Sequence, residues 1–218
     1  MIGRLGIALL AAAVSASAAV AAAGDPEKRA INPADQAWAK RINLSHRDLP
    51  AAFIQGPAQP SSATTLTCGS FRPDLSAFTI TGQAASRSFT RSDGTSIFSA
   101  AEVFRSSADE RGDWQRSARR AALPCLAHAL EQLSRGGLRL KVTSSATRPA
   151  PRLGERSISF RIRATISASG AVVKTWFDII GVARGRADAT LAVISIRAAP
   201  SATLEQSLLS KLARRLTP

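Results

Sequence analysis

Residue types that could carry out acid–base, nucleophilic or metal chemistry are scarce in this sequence of 218 residues. It contains two histidines, His46 and His128, and neither belongs to an H-E-x-x-H pattern or to a close cluster with carboxylates, so no zinc centre is predicted. The G-x-S-x-G turn of α/β-hydrolases is absent, as is a glycine-rich phosphate loop after a strand. We therefore predict no catalytic, cofactor-binding or metal-binding residues.

The acidic residues mostly fall near turns and helix starts. Asp35, Asp93 and Asp113 can therefore serve structural roles, such as stabilising a turn or the start of a helix. A glycosidase requires two carboxyl groups that face one cleft. The sequence leaves open whether Asp178 and Asp188 meet in this way. The tripeptide Arg111-Gly112-Asp113 resembles an integrin-binding motif, but it falls in a predicted helix, and we attribute it to chance.

Cys68 and Cys125 are the only two cysteines. A redox site of the C-x-x-C type is absent, and an even pair of cysteines in an exported chain usually forms a structural bridge. We therefore predict a Cys68–Cys125 disulfide rather than a catalytic or metal-binding role.

Basic and aromatic residues recur in the predicted strands of the second half of the chain. If the strand registers agree, they share one face of a sheet, and such a surface suits an anionic ligand through charge and cation–π contacts. The alternative is that helices cover part of this face and that Trp176 belongs to the core. The candidate anion-binding residues are Arg161, Arg163, Lys174 and Trp176, with Arg139 and Lys141 as further candidates.

The N-terminal segment has the three parts of a secretory signal. Arg4 precedes an apolar run over residues 5–14, and Ala21-Ala22-Ala23 forms a small-residue cleavage site before Gly24. We predict a signal peptide over residues 1–23; an uncleaved anchor is the alternative. No later stretch is long and apolar enough to form a transmembrane span.

The chain is strongly basic, with 29 lysines and arginines against 15 acidic residues and a formal net charge of +14. Such a charge attracts polyanions whatever the fold. Outside the cytoplasm these are anionic lipids and cell-wall polymers, so export argues against a dedicated nucleic-acid role. A solvated basic surface without a specific partner is the alternative reading.

Hydrophobic periodicity and turn residues predict one α+β domain over residues 33–218. The first half is expected to contain a flexible lead over 24–32, a helix from Pro33 to about Leu44 that buries Trp38, a loop from His46 to Leu66 and a hairpin that turns at Asp93-Gly94. A helix capped by Ser107 and Glu110 follows, and Pro124 must kink or divide it.

Four strands and a final helix are predicted next. The strands cover about 138–143, 158–166, 172–182 and 187–196, and the helix begins at Pro200-Ser201, with Leu204, Leu208, Leu212 and Leu216 at spacing four. The expected architecture is a mostly antiparallel sheet of about six strands, in the order α-ββ-α-ββββ-α, packed by helices.

This order of elements, together with the export signal and Trp38 on an early helix, resembles the Mog1/PsbP-like fold of actinobacterial secreted proteins and lipoproteins of the LpqN type. The resemblance covers nearly the whole mature chain. This sequence departs from the lipoprotein members because it lacks a lipidated cysteine. The resemblance implies an accessory, binding or sensory role without catalytic residues.

Three functional hypotheses follow. The first is an exported, non-catalytic binding or accessory protein of the cell envelope that engages anionic lipid or wall polymer through its basic surface. The second is an envelope hydrolase with a site assembled from distant residues, which requires a pocket holding a carboxylate or histidine of shifted pKa. The third is a structural partner of another envelope protein, which requires an exposed apolar patch.

Overall fold

The computed structural model describes residues 25–59, 66–134 and 136–218, so the predicted signal segment lies outside the described residues. In the described part, nine strands form one sheet and four α-helices accompany it. The strands are β1 (Lys28–Arg29), β2 (Ile54–Ala58), β3 (Thr79–Ala85), β4 (Arg87–Thr90), β5 (Ser96–Phe104), β6 (Arg139–Thr147), β7 (Arg156–Ala168), β8 (Ala171–Arg184) and β9 (Ala187–Ile196). The helices are α1 (Pro33–Ile42), α2 (Ser107–Ser117), α3 (Leu123–Glu131) and α4 (Ala202–Arg215).

The sheet has the order β1-β3-β5-β9-β8-β7-β6, and β4 pairs with both β2 and β5. The α+β prediction is confirmed. The predicted count of about six strands is wrong, because β1, β2 and the division between β3 and β4 were not anticipated. The sheet is mixed, since β1 is parallel to β3 while the other strand pairs are antiparallel.

The unpredicted strand β2 lies in the proposed loop over His46–Leu66. Gly56 and Pro57 indicate a loop in the sequence, but β2 pairs only with β4, and an edge strand tolerates proline because it lacks a second neighbour. Residues 25–32, within the proposed flexible lead, run alongside β3 and form backbone hydrogen bonds with it and with the residues before it. For example, the amide of Lys28 donates to the carbonyl of Phe78 at 2.9 Å.

The predicted helices form with small shifts at their ends. Asn32 caps α1 by accepting a hydrogen bond from the amide of Asp35 at 2.9 Å, and Trp38 is buried. The cap of α2 is Ser106, one residue before the predicted one. Pro124 lies in the first turn of α3 and separates it from α2, because proline has no amide hydrogen for the preceding turn.

The helices cover the sheet from both sides. α1 and α4 pack on one side, here called the α1/α4 face, where Trp38 and Leu208 join Ala189 and Leu191 of β9 in the larger core cluster. α3 packs on the other side, the α2/α3 face, where its Leu123 joins a smaller apolar cluster. Since side chains alternate along a strand, neighbouring residues of β8 and β9 belong to different faces.

Cys68 and Cys125 form the predicted disulfide, with a Cα–Cα distance of 5.3 Å. The bridge joins the segment that precedes β3 to the first turn of α3. Among the described helices, none combines the length and the apolar character that crossing a membrane requires.

We expect the Cys68→Ser/Cys125→Ser variant to unfold with a free energy lower by about 4 kcal/mol, because the bridge restricts a long loop in the unfolded chain. Urea denaturation monitored by circular dichroism measures the change. The wild-type protein under reducing conditions should behave like the variant, and equal stability of the oxidised wild type and the variant would contradict the expectation.

Candidate functional site

The strand registers bring the predicted anion-binding residues to one face. In the β7–β8 ladder Arg161 lies opposite Asp178, and Arg163 lies opposite Trp176. Lys174 is two residues from Trp176 on the same strand and therefore points to the same side. This is the α1/α4 face, since the next residues in the same alternation, Ile180 and Val182, belong to its core cluster.

Strand β6 adds two more cations to this surface. Arg139 pairs with Ser167 and Lys141 with Thr165, which alternate in step with Arg163 on β7. Arg139, Lys141, Arg163 and Lys174 are exposed, and Trp176 is partly exposed. We call these five residues the basic face.

Arg161 points to the same side but is already paired with an internal anion. Its Nε donates to Oδ1 of Asp178 at 2.7 Å, and Nη1 of Arg148 donates to Oδ2 of Asp178 at 2.6 Å. Arg148 also bonds Glu205 of α4 at 3.2 Å. Burial acts to raise the pKa of Asp178, but the hydrogen bonds with Arg161 and Glu205 and the charges of Arg161 and Arg148 together outweigh it, so the pKa of Asp178 lies below its ordinary range.

This ion cluster lies at the N-terminal end of α4. Further along β8, towards the β7–β8 turn, the side chains become more exposed. Trp176 is partly exposed, Lys174 is exposed and Val172 is 66% exposed. The four cationic side chains of the basic face have no hydrogen-bond or ion-pair partner among the described residues. The basic face is thus an uncovered part of the sheet.

The two histidines and the two strand aspartates do not assemble a site together. The Nε2 atom of His46 lies 2.8 Å from the carbonyl oxygen of Phe53, and His128 lies beside Gln132 on one turn of helix. Asp178 reaches the α1/α4 face and Asp188 the opposite one, so these two carboxyl groups cannot flank a single glycosidic bond. Within the described residues, no group of three or more histidines, cysteines or acids is arranged to hold a metal ion.

A second feature, not anticipated from the sequence, lies on the α2/α3 face. It is a partly open cavity of about 270 Å³ between the sheet, α2 and the segment that precedes β3. Its walls are largely apolar. They include Phe71, Leu75, Trp114, Ile158, Phe160 and Ile179.

Four acidic residues also line this cavity, and we call it the acidic cavity. Glu102 of β5 and Asp188 of β9 are direct cross-strand partners, and Asp113 of α2 and Glu27 complete the set. None of the described lining residues is a lysine or an arginine. Carboxylates directly opposite each other on neighbouring strands repel, so the cavity gathers acidic groups that cannot all ionise without cost.

The hydrogen bonds of these acids leave them only partly satisfied. Nε2 of Gln83 donates to Glu102 at 2.6 Å, and Oγ of Ser117 donates to Oδ2 of Asp113 at 3.1 Å. Asp113 is 95% buried, since its relative exposure is 5%, and its Oδ1 has no hydrogen-bond partner. An unpaired buried carboxylate oxygen is costly.

Burial and mutual repulsion shift the ionisation of the cavity acids. Burial, together with the charge of Glu27, raises the pKa of Glu102 to about 7. Burial and the charge of Glu102 raise the pKa of Asp113 to about 8, and the same causes raise the pKa of Asp188 well above its ordinary value. Carboxyl groups with such shifts in a concave site are typical of functional positions.

Only faint signals in the sequence pointed to this site. Asp113 drew notice through an apparent adhesion motif, yet its side chain is buried in the cavity. Glu102 and Asp188 are acids within strands, a position that aspartate and glutamate disfavour. Their meeting depends on the β5–β9 register, which pairs segments more than eighty residues apart in the chain.

No protein-family model matches the sequence, and no curated protein matches it. The Mog1/PsbP-like resemblance therefore stays a prediction. What the chain does has to be inferred from its two charged features.

We expect Arg161→Met to lower the free energy of unfolding by about 2–4 kcal/mol, because it leaves the buried Asp178 with one partner fewer. Chemical denaturation measures the loss. Arg163→Met, which removes an exposed and unpaired cation from the same strand, is the matched control and should change stability little. Equal losses of unfolding free energy in the two variants would contradict the expectation that the bond from Arg161 to Asp178 stabilises the fold.

We expect the unfolding free energy to fall as pH rises from about 5 to about 8. The cavity carboxyls have folded-state pKa values above the unfolded value of about 4, so the folded state holds protons that unfolding releases, and this stabilisation is lost as pH passes the folded pKa values. The charge of Arg29 lowers the pKa of Glu102 and so weakens this pH dependence. Burial raises the pKa of Glu110, which is paired with Arg156, and so strengthens it.

The Glu102→Gln/Asp188→Asn variant should lose roughly 1–3 kcal/mol of this pH dependence. Thermal and urea unfolding across the pH range measure it. Glu131→Gln/Glu155→Gln, which removes two carboxylates outside the cavity, is the control. A cavity variant with the wild-type pH profile would contradict the assignment of raised pKa values to the cavity.

Proposed function

We propose that this protein is a non-catalytic binding protein that works outside the cytoplasm and attaches to an anionic lipid surface through its basic face. The observation that carries the proposal is the set of four unpaired cations around a partly exposed tryptophan on an uncovered part of the sheet. The signal-like N-terminus and the disulfide support the compartment, because disulfides persist in oxidising environments.

A lipid surface suits the basic face better than a soluble polymer does. Tryptophan favours the boundary between water and acyl chains, where its ring is buried and its N–H stays wet. Val172 follows the same alternation as Lys174 and Trp176 and is 66% exposed, which adds an apolar contact at the turn end. Each lysine or arginine near an anionic leaflet contributes about 1 kcal/mol.

The hydrolase hypothesis is less well supported. The acidic cavity does offer a pocket with carboxyls of raised pKa, as that hypothesis requires. Glycoside hydrolysis, for example, uses two carboxyl groups of different ionisation. The cavity contains four acids without a lysine or arginine in its described lining, and this surplus of acidic groups favours binding a positive group over hydrolysis.

The structural-partner hypothesis requires an exposed apolar patch. Among the described residues the exposed large hydrophobic side chains are Ile31, Ile54 and Val172, which belong to three different segments of the chain. This distribution favours the binding hypothesis.

The proposal is tested with vesicles of phosphatidylglycerol and of phosphatidylcholine. The wild-type protein should bind the anionic vesicles, and binding should weaken with salt because charge attraction is screened. Arg163→Glu/Lys174→Glu should reduce the affinity about 30-fold or more, since two favourable contacts are lost and repulsion is added.

Arg47→Glu/Arg120→Glu is the matched control. It changes the net charge equally through two exposed arginines that lie outside the basic face. Equal losses in the two variants would mean that net charge alone is responsible and would contradict a defined face. Binding to a soluble polyanion such as polygalacturonate, without binding to anionic vesicles, would favour a wall polymer and overturn the lipid proposal.

A further inference from the structure

The acidic cavity has features that attachment to an anionic surface does not use. It lies on the opposite side of the sheet from the basic face, and its charge has the opposite sign. A cavity that gathers four acids in a protein of net charge +14 runs against the composition of the chain. Its ligand must therefore be sought in the chemistry of its own lining.

We infer that the acidic cavity binds a small organic cation, with an ammonium or guanidinium group among Glu102, Asp113 and Asp188 and an apolar body against Trp114 and Phe160. This inference goes beyond the proposed attachment and does not depend on it.

The first argument is the unbalanced charge. Glu102 and Asp188 face each other across neighbouring strands, and such a pair is destabilising unless a proton or a cation lies between the groups. A bound ammonium group would donate several charge-assisted hydrogen bonds to these oxygens. The ligand-free cavity relieves the repulsion by retaining protons, which a cation would displace.

The second argument is the unused acceptor on Asp113. Its carboxyl group is 95% buried and lines the cavity, and Oδ2 accepts a hydrogen bond from Ser117. Oδ1 receives no hydrogen bond from an N–H or O–H donor among the described residues, and the nearby carboxyl of Glu27 brings a further acceptor to Asp113. Buried polar atoms in folded proteins are nearly always hydrogen-bonded. An N–H donor of a ligand would satisfy this atom.

The third argument is the apolar wall, which indicates an organic cation with a hydrophobic part. Trp114 projects from α2 over β8, and Gly181 makes room for it: a β-carbon at Gly181 would lie 3.1 Å from the indole ring. Aromatic rings bind cations through their π faces and bury the apolar part of a ligand. A bare metal ion would leave these walls unused.

The size of the cavity limits the ligand. A volume of about 270 Å³ lies just under the range of about 300–1,000 Å³ in which pockets for drug-sized molecules fall. The expected ligand therefore has one ring or a short alkyl chain in addition to its charged group.

The disulfide bears on the same site. Phe71 and Leu75 of the outer wall belong to the segment that begins at Cys68, and the bridge fastens this segment to α3. The lining on the sheet side does not depend on the bridge, because its acids come from paired strands.

The test uses benzylammonium as the probe, in calorimetric titration of the oxidised full-length mature protein at about pH 8, where Glu102 is ionised. Benzyl alcohol is the neutral control and methylammonium the control without a ring. Millimolar binding of benzylammonium that is tighter than binding of either control is the expected result. No binding of benzylammonium, or equal binding of benzyl alcohol, would overturn the inference.

Variants then locate the site. Glu102→Gln/Asp188→Asn should weaken benzylammonium binding by about tenfold or more, because two charge-assisted contacts are lost. The same variant should be more stable than the wild type without ligand, since the repulsion is removed, so a loss of binding cannot be ascribed to misfolding. Glu131→Gln/Glu155→Gln, with two carboxylates outside the cavity replaced, should bind as the wild type does.

Three further measurements are decisive. Trp114→Leu should weaken benzylammonium more than methylammonium, and equal effects would contradict an apolar subsite. Calcium or magnesium ions that compete fully with benzylammonium at equal concentration would assign the cavity to metal ions and overturn the organic-cation inference. The basic-face variant Arg163→Glu/Lys174→Glu should retain benzylammonium binding, so failure of either proposal can be distinguished from failure of the other.

Discussion

The antiparallel register of β5, β9, β8 and β7 determines which side of the sheet each charged residue reaches. Because side chains alternate, a shift of one residue would exchange the two faces of a strand. In the observed register, Asp178 meets two arginines on the α1/α4 face, while Asp188 meets Glu102 on the α2/α3 face. Both features of functional interest depend on this one constraint.

Asp178, which is buried, and Asp188, which is partly buried, have opposite electrostatic surroundings. Asp178 is ionised and lies between Arg148 and Arg161, close to the first turn of α4, where this helix begins to cover the sheet. Asp188 is surrounded by other acids and keeps its proton more readily than an ordinary carboxyl. A cluster of acids such as the one around Asp188 costs stability, and such costs are expected where a protein gives up stability for function.

Net charge and local charge make different demands on a partner. The overall charge of +14 acts at long range and draws the protein towards anionic surfaces. Inside the cavity, the nearest groups dominate because the surroundings are poorly polarisable, and these groups are carboxyls that become negative when they lose their protons. A protein can therefore be basic as a whole and still hold a site for cations.

The sequence by itself determined the α+β class, the disulfide, the capped helix that buries Trp38, the division at Pro124 and the meander from β6 to β9. These features depend on local periodicity, on turn residues and on there being only two cysteines. The sequence also indicated that Arg163, Lys174 and Trp176 would share a face if the registers agreed. Only the tertiary structure decided that Arg161 is engaged by Asp178, that β2 is a strand despite Pro57, and that Glu102, Asp113 and Asp188 meet in one cavity. The physical reason is that these contacts join residues distant in the chain, and no local pattern encodes the register that brings them together.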